Sequence, residues 1–236
     1  MRQDAGGAVA IWHDIVPEGL DEFYAWHGEE HMPERVAIPG FLRGRRFIAI
    51  DARLGFFNLY ETASAAVVAG PDYRRKLDNP TPRTISAVRH FRNVARSLCA
   101  VTAATGEAQG GLVASLRYEV EAGREARHRE RMIGEIVPGL AVAPGVAAVK
   151  FLEADRTASG YVNAEQRARG APNMVPPFVL IVEGWAAEGS FLDLVRSVLS
   201  VEACADLGIS SDYALEFFRH QLTTIAPGRT QGASSP

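Results

Sequence analysis

Residues 30–41 read E-H-M-P-E-R-V-A-I-P-G-F, and residues 135–146 read E-I-V-P-G-L-A-V-A-P-G-V. Both fit the frame E-x-x-P-x5-P-G followed by a large apolar residue, with Glu30 and Glu135 standing 105 positions apart. Proline removes a backbone donor and Pro-Gly permits a reversed turn, so each copy reads as the end of a helix turning into a strand. Working outward, each copy is preceded by an extended segment, Val9–Val16 or Leu112–Val120, and a charged helix-like stretch. Each is followed by two β-like runs: 42–51 with 56–62 in the first copy, and 146–155 with 178–184 in the second. A helix comes next, at Pro82–Phe91 and Ser190–Leu207, and extended segments at 93–102 and 213–225 close the units. The order β-α-β-β-α-β therefore occurs twice, which predicts an α+β fold of two ferredoxin-like repeats packed sheet to sheet.

The predicted organisation is a first repeat at 1–105, a linker at 106–111, a second, degenerate repeat at 112–226 and a disordered tail at 227–236. In the first helix Leu20, Phe23, Tyr24, His27 and His31 recur at helical spacing, and Pro33 and then Pro39–Gly40 stop it. Ser190 is the expected cap of the last helix. The segment 162–177 has no counterpart in the first half and is read as a loop or lid between strands. Strand alternation puts Val9, Ile11, His13 and Ile15 toward the helices. It puts Trp12 and Asp14, with Arg117 and Glu119, toward the contact between the sheets, where an acid–base pairing would set register.

Composition sets outer limits. The 236 residues carry 25 Lys+Arg against 28 Asp+Glu, and 47% are hydrophobic, which suits a globular chain with a large core. A net charge of −3 gives no general electrostatic case for nucleic acid or anionic lipid, so neither partner is expected. No apolar run reaches the roughly 18 residues of a membrane span. The run Ala8–Trp12 is too short for a secretion signal, so a cytoplasmic protein is expected. Cys99 and Cys204 stand at no metal-ligand spacing and read as two buried thiols.

The stretch F-Y-A-W-H-G-E-E-H-M-P-E-R-V-A-I-P-G-F, residues 23–41, resembles the dimeric α/β-barrel superfamily, and its EthD-like branch most closely. Trp26, His31, Pro33, Pro39 and Gly40 carry the likeness, while Arg131 and Ile136 stand at the corresponding places of the second half. The resemblance implies an intramolecular α/β barrel with any site in the first half. Relatives range from cyclases, isomerases and monooxygenases to haem proteins, so it names no reaction.

Three of the six histidines, His13, His27 and His31, fall in the first 31 residues. His27-x-x-Glu30-His31 has the spacing of an inverted zinc-protease motif, but the helix stops at Pro33 and no third ligand follows, so no metal is expected. The sharper expectation is an organic pocket with His13 and His31 as acid–base residues and Tyr24, Trp26, His27 and Tyr60 as its walls. The ligand is then a small apolar or aromatic metabolite, handled without a tightly bound cofactor. Blander readings stand beside it: His13 as a satisfied core residue, His31 bonding the turn at Pro39–Gly40, and Trp26 and Tyr60 as packing. Arg43, Arg45 and Arg46 read as a solvated strand end. For haem, only His128 and His220 are present in the second half. His128 lies on an Arg-rich segment read as solvent-facing, and ligation is not favoured. The alternative to an enzyme is a non-catalytic module whose exposed edges mediate oligomerisation, including a homodimer of the pseudo-dimer.

Overall fold

Pleating in β1 (Gly7–Ile15) sends its side chains into two different cores. Ala8, Ala10 and Trp12 join Phe47, Phe57 and Phe218, whereas Val9 joins Met32, Phe41 and Tyr60. The reason is the topology of the computed structural model, which describes residues 5–106 and 108–227. The other strands are β2 (Phe41–Asp51), β3 (Phe56–Thr62), β4 (Phe91–Thr105), β5 (Leu112–Tyr118), β6 (Val146–Ala154), β7 (Phe178–Gly184) and β8 (Ala214–Ile225). They form a closed barrel in the order β1-β3-β2-β8-β5-β7-β6-β4, and every pairing is antiparallel. Each half contributes a four-stranded sheet in the ferredoxin-like order, β4-β1-β3-β2 and β8-β5-β7-β6. The halves join edge to edge through β2·β8 and β4·β6. Closure leaves no free sheet edge among the described strands, so the expected oligomerisation through exposed edges is corrected. The tail from residue 228 and the linker residue 107 lie outside the described residues.

The inner layer is packed. Trp12 stacks on Phe57 with centroids 5.0 Å apart, and its Nε1 donates to Ser115 Oγ of the other half at 2.8 Å. Arg117 stands over the indole at 5.6 Å, so Trp12 and Arg117 do meet inside. The acid that pairs with Arg117 is Glu216, at 3.1 Å, rather than Asp14, which accepts from the Gly55 amide and Asn93. At the opposite end Arg45, wholly buried, makes a two-pronged contact with Glu183 at 2.7 and 2.8 Å and reaches Glu61 at 3.3 Å. Lys150 bonds the same two carboxylates at 2.8 and 3.5 Å. Arg45 and Arg46 are thus buried, which corrects the reading of the R-G-R-R run as a solvated end. Arg45 shares a face of β2 with Phe47, and the barrel's closure brings Glu183 of the other half to it.

Helices cover the outside. α1 (Leu20–Trp26) runs through a π turn at His27–His31 into α2 (Met32–Val36). Pro33 does not end this helix; it sits in the first turn of α2. Lacking an N–H, it leaves the carbonyl four residues earlier without its partner, and the turn ahead of it widens. The second half repeats this with α6 (Glu125–Arg131), a π turn at Met132–Ile136 and α7 (Val137–Ala141), where Pro138 takes the equivalent place. Between β3 and β4 lie α3 (Ala65–Ala69), α4 (Pro71–Asp78) and α5 (Pro82–Val88).

The segment 162–177, read as a loop or lid, holds α9 (Ala164–Arg169), capped by Asn163, and α8 (Arg156–Ser159), capped by Asp155, lies between it and β6. The predicted last helix is two, α10 (Glu188–Val198) and α11 (Val201–Asp206). Ser190 caps neither; Ser200 caps α11 by accepting from the Ala203 amide. No helix among the described residues is long and apolar enough to cross a membrane.

Candidate functional site

The π turn decides which side chains meet. It puts His27 and His31 on the sheet side, their rings stacked at 5.5 Å, while Glu30 turns outward to Thr81 and Arg83. Glu30 therefore shares no site with the two histidines, and the H-x-x-E-H spacing has no metal geometry behind it. On β3, alternation points Phe56, Asn58 and Tyr60 at this helix, and the register sets them beside His13, Ile11 and Val9 of β1. His13, His27 and His31 lie in one buried space with relative exposures of 0%, 2% and 8%.

Hydrogen bonds fix the protons. Arg46 Nη1 lies 3.4 Å from His27 Nδ1, and a guanidinium can only donate. Nδ1 is then the acceptor, so the ring proton sits on Nε2 and faces Tyr60 Oη at 3.3 Å. Tyr60 accepts that proton's bond and keeps its own O–H free to donate elsewhere. Asn58 Nδ2 donates to His13 Nε2 at 2.8 Å, and Asn58 Oδ1 is buried without a partner. His31 does not bond the Pro39–Gly40 turn through Nδ1, which is buried and unpartnered among the described residues.

Burial is the main force on these groups. It drives the His13 pKa down to about 3, with the charges of Arg169 and Arg46 acting in the same direction. Burial likewise holds His27 and His31 well below the usual histidine range, helped by Arg46 and Arg35 respectively. The Tyr60 hydroxyl is pushed up by burial and stays protonated. All three imidazoles are neutral at pH 7, beside a phenol that can donate.

The expected wall residues are not equivalent. Trp26 is buried, tilts against His31 at 4.3 Å and donates to Thr84 Oγ1. Tyr24 stands at the rim, about one-third exposed, with the Arg46 guanidinium 5.0 Å over its ring. Phe23, Phe56 and Phe91 pack on His13 at 5.3, 5.3 and 4.3 Å. Sequence reasoning missed Arg46, Asn58 and these rings. A buried-strand pattern F-F-N-L-Y places Asn58 and Tyr60 on one face, and that was the available signal for Asn58.

Gly44 pairs with Tyr60 across β2·β3, and a Cβ there would lie 2.7 Å from the Tyr60 ring. Gly44→Ala is expected to displace Tyr60 and to cost about 1–3 kcal/mol, read as a lower urea midpoint.

The second-half equivalents form a different contact. His128 is buried, which corrects its reading as solvent-facing. Its Nδ1 lies 3.0 Å from the Leu207 carbonyl and must donate to it, so Nε2 accepts from Tyr118 Oη at 2.9 Å. With both nitrogens engaged, His128 does not fit as a haem ligand, and His220 Nε2 is bonded to Thr223 at 2.7 Å.

No protein-family model matches the chain, and no curated protein sequence matches it. Among solved structures it is similar to an anthrone oxidase-like protein, at 14% identity and a TM-score of 0.60, over 96% of this chain and 95% of that one. A candidate monooxygenase from Lactobacillus acidophilus aligns at 13% identity and a TM-score of 0.56, over 94% and 97%. A major regulator of staphylococcal pathogenesis aligns at 12% and 0.50, over 90% and 98%. Likeness at such identities speaks to fold alone. The chain has the fold of the dimeric α/β barrels, with both ferredoxin-like sheets supplied by one polypeptide.

Proposed function

We propose that the first half binds and transforms a small apolar or aromatic metabolite by proton transfer, without a tightly held cofactor. The observation that carries this reading is the directed chain Arg46–His27–Tyr60, which leaves the Tyr60 O–H free to donate, with His31, its Nδ1 buried and unpartnered among the described residues, stacked on His27 at 5.5 Å. In this arrangement His31 takes a proton from an enolisable carbon or a phenol, and Tyr60 donates to the oxygen that gains charge. Arg46, which has no carboxylate partner among the described residues, steadies that oxygen. His13, fixed by Asn58, positions the ring cluster.

The test is proton–deuterium exchange at the benzylic carbon of 1-phenyl-2-propanone in D2O, followed by NMR. The native protein is expected to accelerate exchange, and His31→Gln or Tyr60→Phe to lower that rate by about 10²–10⁴-fold with folding intact. Exchange no faster than in buffer alone would remove the enzymatic reading.

The second reading is a non-catalytic module. It is favoured by the rings of Phe23, Trp26, Phe56 and Phe91, which pack tightly around the histidines. It predicts no exchange and no effect of small aromatics on the histidine signals.

We also read the repeat as a duplication whose second copy lost the site. The π turns at His27–His31 and Met132–Ile136 support this, being displaced by the same 105 positions as the sequence frames. The aromatic-histidine helix supports placement near the EthD-like branch, and two buried thiols suit the cytoplasm.

A further inference from the structure

The excursion between β6 and β7 leaves its own half and lies over the histidine cluster of the other. Met174 pairs with β4, exchanging backbone bonds with Val94 and Arg96, and Ala168 packs against the cluster that contains Phe23 and Trp26. Glu165 pairs with the buried Arg35 of α2. Between this strap and the α5–β4 turn is a cavity of about 480 Å³, lined by Arg89, Arg92, Arg169, Phe91, Asn93 and Met174 among others. Phe91 is shared with the cluster, its ring 4.3 Å from His13.

The charges beneath the strap do not balance. Of the three guanidinium groups there, Arg35 pairs with Glu165 and Glu34, while Arg96 and Arg169 have no carboxylate partner among the described residues. Arg96, buried, donates to the Tyr73 hydroxyl as its one side-chain hydrogen-bond partner among the described residues, and Arg169, half-buried, donates to the Ala171 carbonyl and Asn173 Oδ1. Arg169 Nε is buried with no partner at all among the described residues. Arg89 and Arg92 at the mouth have no carboxylate partner there either, and Asp14 is engaged with Gly55 and Asn93. Buried cations without a counter-ion are costly, and a guanidinium fork matches a carboxylate. Phe91, Val94, Pro172 and Met174 supply an apolar wall for the body of such a molecule.

We infer that this cavity takes the carboxylate of an aromatic or apolar organic acid, held by Arg169 with Arg89 and Arg92 at its entrance. The inference rests on the acid–base reading above, because it supplies that site's ligand with its charged end. It also gives the strap a role, since Arg169 is carried into place by α9 of the second half.

The experiment uses the full chain and benzoate, with benzyl alcohol as the neutral comparison. Binding is measured by calorimetry and by the arginine Nε–H and histidine ring signals. Saturable benzoate binding is expected, weakened about tenfold or more in Arg169→Gln and in Arg89→Gln/Arg92→Gln. Arg169→Lys, which keeps the charge, should retain part of it, and Arg196→Gln, on another face, should leave it unchanged. Benzoate that moves the Arg169 signal but no histidine signal would support the cavity and remove the acid–base reading. The inference is overturned by the absence of saturable benzoate binding, by undiminished affinity in Arg169→Gln, or by equal affinity for benzyl alcohol.

Discussion

Lowering the pH from 7 to 5 is expected to lower folding stability, by about 2 kcal/mol through His13 alone. His13, His27 and His31 are neutral in the fold because burial depresses their pKa values, His13 to about 3. The unfolded chain protonates each near pH 6.5, so below that value it binds more protons than the native state. The sign follows: the stability is complete above pH 6.5 and is lost as the pH falls toward the native values. His27 and His31 act in the same direction as His13 over this interval. Urea midpoints at pH 7, 6 and 5 measure the effect, and His31→Gln should reduce the pH dependence. A stability that is flat between pH 7 and 5 would mean that the histidines titrate as exposed groups do.

The second large effect lies at the charged end of the barrel. Glu183→Ala is expected to cost about 3–5 kcal/mol at pH 7, because Arg45 and Lys150 would lose their closest acceptor inside the protein. Glu61 remains, but at 3.3 and 3.5 Å, and it already serves Arg43. Burial alone would raise the Glu183 pKa; the hydrogen bonds and charges of Arg45 and Lys150 instead hold it down to about 2. Its contribution is therefore present above about pH 4.5 and fades toward pH 2. Glu188→Ala, which removes an exposed pairing with Arg219, is the control and should change stability by about 1 kcal/mol or less. A loss that small for Glu183→Ala would show the network to be dispensable.

The fold was legible because its signals are local. Two E-x-x-P-x5-P-G frames, strand alternation and turn residues report backbone demands that neighbouring residues meet. On that basis β3 and β7 fall at the predicted bounds, and Trp12 meets Arg117 inside. What stayed illegible depends on partners far along the chain. Arg45 lies inside because Glu183 waits 138 residues on. His128 sits in an Arg-rich run yet turns inward to Tyr118, since a helix shows its inward residues only at every third or fourth position. The site was half visible: residue types singled out His13, His27, His31 and Tyr60. The proton directions came from Arg46, which reaches His27 only because β2 lies next to β3. The strap from the second half carries no helical stripe long enough to reveal that it covers the first.

The most direct test of the first-half site is a histidine ring nitrogen spectrum of the labelled protein between pH 5 and 8, with and without phenol. His27 is expected to stay neutral with its proton on Nε2, and phenol to move the His27 and His31 signals while leaving His128 unmoved. Ordinary titration of His27 near pH 6.5, or a phenol response confined to His128 and His220, would contradict this.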